Sequence, residues 1–151
     1  MILNPFLFGD SDASALIARM SPAPSGAIQT AINNAITSLK AGGYWTRFDS
    51  LYVPKKAAVQ QNGLLDWRRN VSATLHGSAS WDATYGFAGS DSVINSYIDS
   101  HYKPSTDAAA FGVNSFSVGA YVTPPGTLGA DYLFGCVNAA GTSTIDLFES
   151  T

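Results

Sequence analysis

The stretch IQTAINNAITSLKAGG, residues 28–43, decides how the first third of the chain folds. Its apolar residues recur every three or four positions and form one stripe: Ile28, Ile32, Ala35, Ile36 and Leu39. This spacing predicts a helix that buries one face, and Gly42-Gly43 is a common way for a helix to end. A partner-binding helix would carry the same stripe, but we favour an internal helical hairpin.

A shorter helix is predicted just before this stretch. Asp10–Asp12 offers capping and acidic side chains for a helix N-terminus, and Pro22 and Pro24 prevent the helix from continuing. Lys55–Asn62 predicts one further short helix. We expect the two main helices to share a core made of these side chains: Leu16, Ile17, Ile28, Ile32, Ile36, Leu39, Trp45 and Phe48.

From Leu64 onward the helical period gives way to short runs rich in β-branched and aromatic residues, separated by Gly, Asn, Pro and Ser. Such runs with regular turn signals are typical of a β-sandwich or barrel. The predicted strands are Leu64–Trp67, Ala73–His76, Val93–Ile94, Tyr97–Ile98, Phe116–Val122, Tyr132–Phe134 and Thr144–Phe148.

The predicted fold class is therefore α+β, with a small N-terminal helical module followed by an antiparallel β-sandwich. In this interpretation residues 1–9 are an extended anchoring segment and residues 10–63 form the helical module. Residues 64–151 form the β domain, which we expect to be almost entirely β.

Composition narrows the classes of partner. The net charge is −3, and the eight Lys and Arg are scattered, which excludes a broad basic surface for nucleic acid. The apolar start, Met1–Asp10, lacks a basic region and is broken by Pro5, so we do not expect a signal peptide. No run in the sequence reaches the roughly 18–20 apolar residues that a membrane helix needs. Cys136 is the sole cysteine, which leaves no intrachain disulfide.

Residue patterns of known catalytic sites are sparse. His76 and His101 lack the spacing of a zinc-binding helix, and no Gly-x-Ser-x-Gly motif is present. Four aspartates sit beside small residues, as turn-capping aspartates do, with calcium binding as the alternative: Asp82, Asp91, Asp99 and Asp107. We therefore expect no enzyme activity and no cofactor.

Aromatic residues are numerous for a chain with only 13% charged residues. Aromatic rings beside Asn and Asp suit sugar binding, because the ring packs on the apolar face of a sugar while polar groups take its hydroxyls. The candidate glycan contacts are Trp81, Tyr85, Tyr97 and Tyr102. The alternative is that most of these rings fill the core of the β domain.

Two ordered series of segments carry a resemblance to known families. The first resembles an opening module of phage and prophage minor structural proteins, of tail-fibre or head-decoration type: Asp10–Ser25, Leu39–Trp45, Phe48–Tyr52 and Leu64–Trp67. The second resembles a concanavalin-A-like (laminin-G-like) jelly roll: Tyr85–Gly89, Tyr97–Asp99, Lys103–Ser105 and Phe116–Val122. A complete jelly roll of that family has more strands than fit before Thr151. We therefore expect a shortened relative, a piece of a longer chain, or sheet edges covered by neighbouring subunits.

The resemblance implies a structural component of a tailed-phage virion, synthesised in the bacterial host cytoplasm. Its implied partners are other phage structural proteins and copies of itself, since fibres and spikes are commonly trimers. We expect assembly through the uncharged start of the chain, at Ile2, Leu3, Phe6, Leu7 and Phe8. The alternative function is a carbohydrate-binding module for attachment to the host surface. A polysaccharide-degrading enzyme is favoured only by analogy of fold.

Overall fold

The computed structural model of the chain describes residues 9–54, 57–82, 86–87, 96–112 and 115–119, and the backbone of residues 88, 132–137 and 144–148. The chain divides into two compact units, Met1–Phe116 and Ser117–Thr151. The described residues combine helices with small antiparallel sheets, which agrees with the α+β class predicted from the sequence. The predicted boundary after residue 63 falls inside the first unit.

Both predicted helices of the hairpin are present. Helix α1 spans Ser11–Arg19, and the Asp10 carboxylate caps it by accepting the N–H of Asp12 at 2.9 Å. Helix α2 spans Gly26–Ala41 and ends at Gly42. Gly43 then adopts φ +71°, a left-handed conformation that side chains disfavour, so the chain can turn sharply there.

The helices enclose the core that the apolar stripe predicted. The buried residues of this cluster are Ala13, Leu16, Ile32, Ile36, Trp45 and Leu65. Ile17, Ile28 and Leu39 pack against it as half-buried neighbours. Phe48 does not join the cluster and is half-buried elsewhere, because the chain leaves the short 3₁₀ helix Trp45–Arg47 just before it.

The predicted strand Leu64–Trp67 is wrong. After helix α3, Gln60–Gly63, this segment makes only isolated bridges, Leu65 to Ser72 and Tyr52 to Asp66. The Asp66 side chain accepts the N–H groups of Arg68 and Arg69, which turns the chain instead of extending it. The predicted helix Lys55–Asn62 is confirmed only in its last turn, and residues 55 and 56 lie outside the described part.

Four short strands follow in the first unit. Strand β1, Thr74–His76, pairs antiparallel with β4, Tyr97–Asp99, and β2, Ser80–Asp82, pairs with β3, Gly86–Ala88. Helix α4, Pro104–Asp107, is a single turn that corrects the expectation of an almost wholly β region. Its first residue is a proline, which suits the start of a helix because that position needs no N–H partner.

The second unit contains one antiparallel hairpin among its described residues, β5 (Tyr132–Val137) paired with β6 (Thr144–Phe148). Both were predicted as strands. The predicted strand Phe116–Val122 is wrong over residues 116–119, which are described and have no strand conformation. A strand needs a paired neighbour for its N–H and C=O groups, and among the described residues nearby only Gly112 and Ser115 form a bridge.

The strands that the structure describes therefore form three separate two-stranded sheets. Several predictions fall outside the described residues: the strand Val93–Ile94, the glycan contact Tyr85, Asp91, and the anchoring residues of Met1–Phe8.

Candidate functional site

The pairing of β1 with β4 places four side chains with polar or aromatic groups on one surface. Thr74 lies opposite Asp99, and His76 lies opposite Tyr97. Because side chains two residues apart on a strand point to the same side, these four share one face, which we call the ribbon face.

At one end of the ribbon face two rings stack. The imidazole of His76 lies 4.5 Å from the ring of Tyr97, centre to centre, and the two planes differ by 11°. Tyr97 is 53% exposed, so much of it remains open to solvent. The exposed ring of Tyr97, backed by the half-buried His76, is a surface on which an apolar face of a ligand can pack.

At the other end a hydroxyl, an imidazole and a carboxylate lie in sequence, the first two joined by a hydrogen bond and the last two in ion-pair contact. Thr74 Oγ1 lies 2.8 Å from His101 Nε2, and His101 Nδ1 lies 3.2 Å from Asp99 Oδ2. The Asp99 carboxylate can only accept hydrogen bonds, so this contact favours the neutral tautomer with its proton on Nδ1. Nε2 is then the acceptor, and the Thr74 hydroxyl donates to it.

The backbone at His101 is held in an uncommon conformation. Its φ is +52°, in the left-handed region, and Asp99 Oδ1 accepts the N–H of His101 at 2.7 Å. Asp99 therefore fixes both the backbone and the ring of His101. Non-glycine residues in this region are uncommon and concentrate at functional positions.

An ion pair between the buried Asp66 and the partly buried Arg69 holds this segment in place. Asp66 is fully buried, and its carboxylate accepts from Arg69 Nε at 2.7 Å and from Ser50 Oγ at 2.7 Å. The guanidinium of Arg69 in turn donates to the carbonyl oxygens of Ser100, at 2.8 Å, and His101, at 3.2 Å. The residues that follow β4 are thus tied to the first half of the chain.

Arg19 extends the same network to the helices. From the last turn of α1 it donates to the carbonyl oxygens of Asp66, Arg69 and Val71, at 2.9, 2.8 and 2.7 Å. An arginine can serve three acceptors because its guanidinium carries five N–H donors in one plane. The helical hairpin and the ribbon therefore belong to one hydrogen-bonded structure.

A separate group of hydrogen bonds surrounds the carboxylate of Asp49. Its carboxylate accepts the N–H groups of Ala109, Ala110 and Phe111, each at 2.7 Å, and the hydroxyl of Tyr102 at 3.0 Å. Burial alone would raise the pKa of Asp49, but these donors outweigh it and lower the pKa. Burial, together with the hydrogen bond to Asp49, raises the pKa of Tyr102 to about 12. Tyr102 is accordingly a neutral donor near neutral pH.

An open cleft of about 530 Å³ begins at His101. Its lining includes Lys103 and Arg69, whose guanidinium also meets Asp107 at 3.3 Å. His101 therefore lines the same cleft as two cationic side chains and the carboxylate of Asp107.

Three of the four sequence-predicted glycan contacts are among the described residues, and each has a different environment. Tyr97 is on the ribbon face, but Tyr102 is half-buried, with its hydroxyl on Asp49 and its ring under the guanidinium of Arg69 at 5.1 Å. The indole Nε1 of Trp81 is buried and packs close to Gly63. A side chain at position 63 would place its Cβ only 3.1 Å from this nitrogen.

Turn capping, predicted for the aspartates, is confirmed at two positions. Asp99 accepts the N–H of His101, and Asp107 accepts that of Lys103. Among the described residues, no three His, Cys, Asp or Glu side chains are grouped as a metal site would need.

The sequence analysis missed the arrangement of Thr74, Asp99 and His101. Thr74 and His101 are 27 residues apart, and only the pairing of β1 with β4 brings them together. The spacing Asp99-x-His101 was a visible signal, since a carboxylate two residues before a histidine can reach both its N–H and its ring.

Within the described part of the chain, no helix has the length and apolar character required to cross a bilayer. Comparison of the chain with protein-family models, with curated proteins and with solved structures finds no match.

Proposed function

We propose that the chain is a structural component of a tailed-phage particle, such as a tail, fibre or head-decoration protein, which attaches through its N-terminal region. The sequence resemblance described above supports this proposal. On this view the two-stranded sheets belong to a partial jelly roll, and strands of neighbouring subunits complete it.

The observation that carries the proposal is the unpaired state of the described sheets. Each has two strands, so every described strand has one edge without a strand partner among the described residues. Ile98, on the back of the ribbon, is 41% exposed, and Phe116, stacked on Phe111 at 4.8 Å, is 46% exposed. Open edges beside exposed apolar side chains favour association, and proteins usually cover them.

The first test is self-association. We expect the purified full chain to sediment as an oligomer, and Ile98→Lys to shift it toward the monomer, because a charge beside an open edge blocks pairing. Thr37→Lys, on the exposed side of α2, is the matched control and should leave the oligomer intact. A wild-type chain that is monomeric at every concentration would contradict the covered-edge interpretation.

A second function, carbohydrate binding for host attachment, is favoured by the stacked pair His76 and Tyr97. The exposed Tyr97 ring, stacked on the half-buried His76, lies on the same face as a hydroxyl and a carboxylate, which are groups that bind sugar hydroxyls. We expect binding to host surface polysaccharide to be lost in Tyr97→Ala. Tyr44→Ala, which removes an equally exposed ring after α2, should not affect it. Equal binding by the two variants would exclude the ribbon face as the sugar site.

A further inference from the structure

We propose that the ribbon face contains an ester-hydrolysing site, with Thr74 as the nucleophile, His101 as the base, and O-acylated sugars as the substrate class. This goes beyond attachment and departs from the sequence-based expectation of no catalysis. The choice of sugar rests on the carbohydrate-binding function proposed above; the acyl chemistry does not.

The first argument is the geometry of the three side chains. A nucleophile, its base and the group that orients the base should be joined by hydrogen bonds of about 2.6–3.2 Å. Thr74 Oγ1 to His101 Nε2 is 2.8 Å, and His101 Nδ1 to Asp99 Oδ2 is 3.2 Å. The order hydroxyl, imidazole, carboxylate is the one that activates a hydroxyl for acyl transfer.

The second argument is that the site is open and the histidine is held. The side chains of His101 and Asp99 are 46% and 43% exposed, and Thr74 is exposed, so a substrate can reach the hydroxyl. Asp99 and the guanidinium of Arg69 fix the left-handed turn at His101 from both sides, which orients the ring before any substrate binds. Lys103 lines the open cleft that His101 also lines, and a cation is the kind of group that stabilises negative charge on a reacting oxygen.

The reaction then proceeds in two balanced steps. Thr74 Oγ1 attacks the ester carbonyl carbon while its proton passes to His101 Nε2, and the alcohol leaves with that proton, which produces an acyl-threonine. Water next attacks the acyl carbon and gives a proton to Nε2. The carboxylic acid departs as that proton returns to the oxygen of Thr74. Asp99 is a positioning residue, since it acts through the ring of His101.

The sugar class follows from the distance along the strand. Thr74 and His76 are two residues apart, which is roughly 6.5–7 Å on one face of a strand. A sugar ring packed on His76 and Tyr97 would therefore place an acyl group on one of its hydroxyls near Thr74.

The experiment measures hydrolysis of p-nitrophenyl acetate by the full chain, and locates the acetyl group by peptide mass spectrometry. We expect acetyl-Thr74, and a rate lower by about 10²-fold in Thr74→Val and in His101→Gln, the size of a general-base contribution. Thr74→Ser should retain activity. Thr30→Val, an exposed threonine on α2, is the matched control and should leave the rate unchanged. A Thr74→Val rate equal to that of the wild type, no hydrolysis by the wild type, or acetylation elsewhere would overturn the proposal.

Two further measurements test the positioning role and the substrate class. Asp99→Asn should lower kcat with little change in KM, and Asp99→Glu should restore part of the rate; a change in KM alone would contradict the positioning role. Tyr97→Ala should lower the rate of deacetylation of an acetylated oligosaccharide by a much larger factor than it lowers the rate of p-nitrophenyl acetate hydrolysis. Loss of both reactions, or of neither, would exclude the ring pair as the sugar platform.

Discussion

At the scale of single residues, Asp66 is the position on which most of the first unit depends. It has no exposed surface, and its carboxylate meets Arg69 while its carbonyl oxygen meets Arg19. The sequence could not reveal this role, because Leu64–Trp67 has the composition of a strand and burial of a charge depends on distant partners. Arg69, one of the eight scattered Lys and Arg residues, is the other half of this contact.

We expect Asp66→Asn to lower the free energy of unfolding by about 3–5 kcal/mol, because removing one partner leaves the Arg69 charge inside the protein without its main counter-ion. Urea denaturation, monitored by tryptophan fluorescence, measures this change in the free energy of unfolding. Asp107→Asn removes the second, more exposed carboxylate of Arg69 and is the control, with a much smaller loss expected. Equal losses in the two variants would show that burial of Asp66 carries no special weight.

At the scale of elements, the helices were predictable and the sheets were not. The helical spacing of apolar residues in 28–43 and the helix end at Gly42-Gly43 are local features of the sequence. Helices α1 and α2 accordingly lie where the sequence predicted them. Strands depend on partners far along the chain: β1 pairs with β4 rather than with β2, and the alternating Phe116–Gly119 has no strand partner among the described residues. The candidate site on the ribbon face was missed for that same reason.

We expect Ile32→Ala, in the buried stripe of α2, to cost about 2–5 kcal/mol, as large-to-small changes in a core do. Thr37→Ala, on the exposed side of the same helix, should change stability by no more than about 0.5 kcal/mol. Thermal or urea unfolding of both variants gives the comparison. A small effect at Ile32 would mean that the stripe packs loosely or faces outward.

A second contact between α1 and α2 is electrostatic. Lys40 Nζ lies 2.7 Å from carboxylate oxygens of both Asp10 and Asp12, and Trp45 Nε1 donates to Asp12 at 2.8 Å. The hydrogen bonds from Lys40 lower the pKa values of both aspartates below the usual 3.8 and raise the pKa of Lys40 above 10.5. The ion pair therefore stabilises the fold across the whole range between these values.

This contact predicts a pH dependence. Carboxylates with lowered pKa values contribute stability that is present above pH 3.8 and is lost as the pH falls through their folded-state values. Lys40→Gln should cost about 1 kcal/mol or less near neutral pH, since the pair is partly exposed. The difference from the wild type should shrink toward zero well below pH 3.8. A difference that stays constant down to pH 2 would indicate lost packing instead of a lost ion pair.

At the scale of the whole molecule, the described residues contain one well-formed helical core and three small sheets whose edges lack partners among those residues. The sequence predicted the α+β class from the change of period near residue 63. It could not determine how the strands associate, because short antiparallel strands with polar turns fit a sandwich, a barrel or separate ribbons equally well. All three two-stranded sheets are consistent with a protein whose sheets are completed by strands of neighbouring subunits.

The proposed anchor is testable by deletion. If Met1–Phe8 is the anchor, its removal should leave a folded chain that no longer joins the particle. Circular dichroism checks folding, and incorporation is measured on purified particles. Normal incorporation of the truncated chain would place the attachment elsewhere, and unfolding would make the segment part of the core.

The most direct test of the proposed particle role is to look for the chain in assembled phage. Particles induced from the bacterial strain that carries the gene would be purified by density gradient, analysed by quantitative mass spectrometry and labelled with antibody for electron microscopy. We expect the chain in the particle fraction at a fixed copy number, with label at one defined position on the head or tail. Detection of the chain only in the soluble fraction, with particles complete without it, would contradict the proposal.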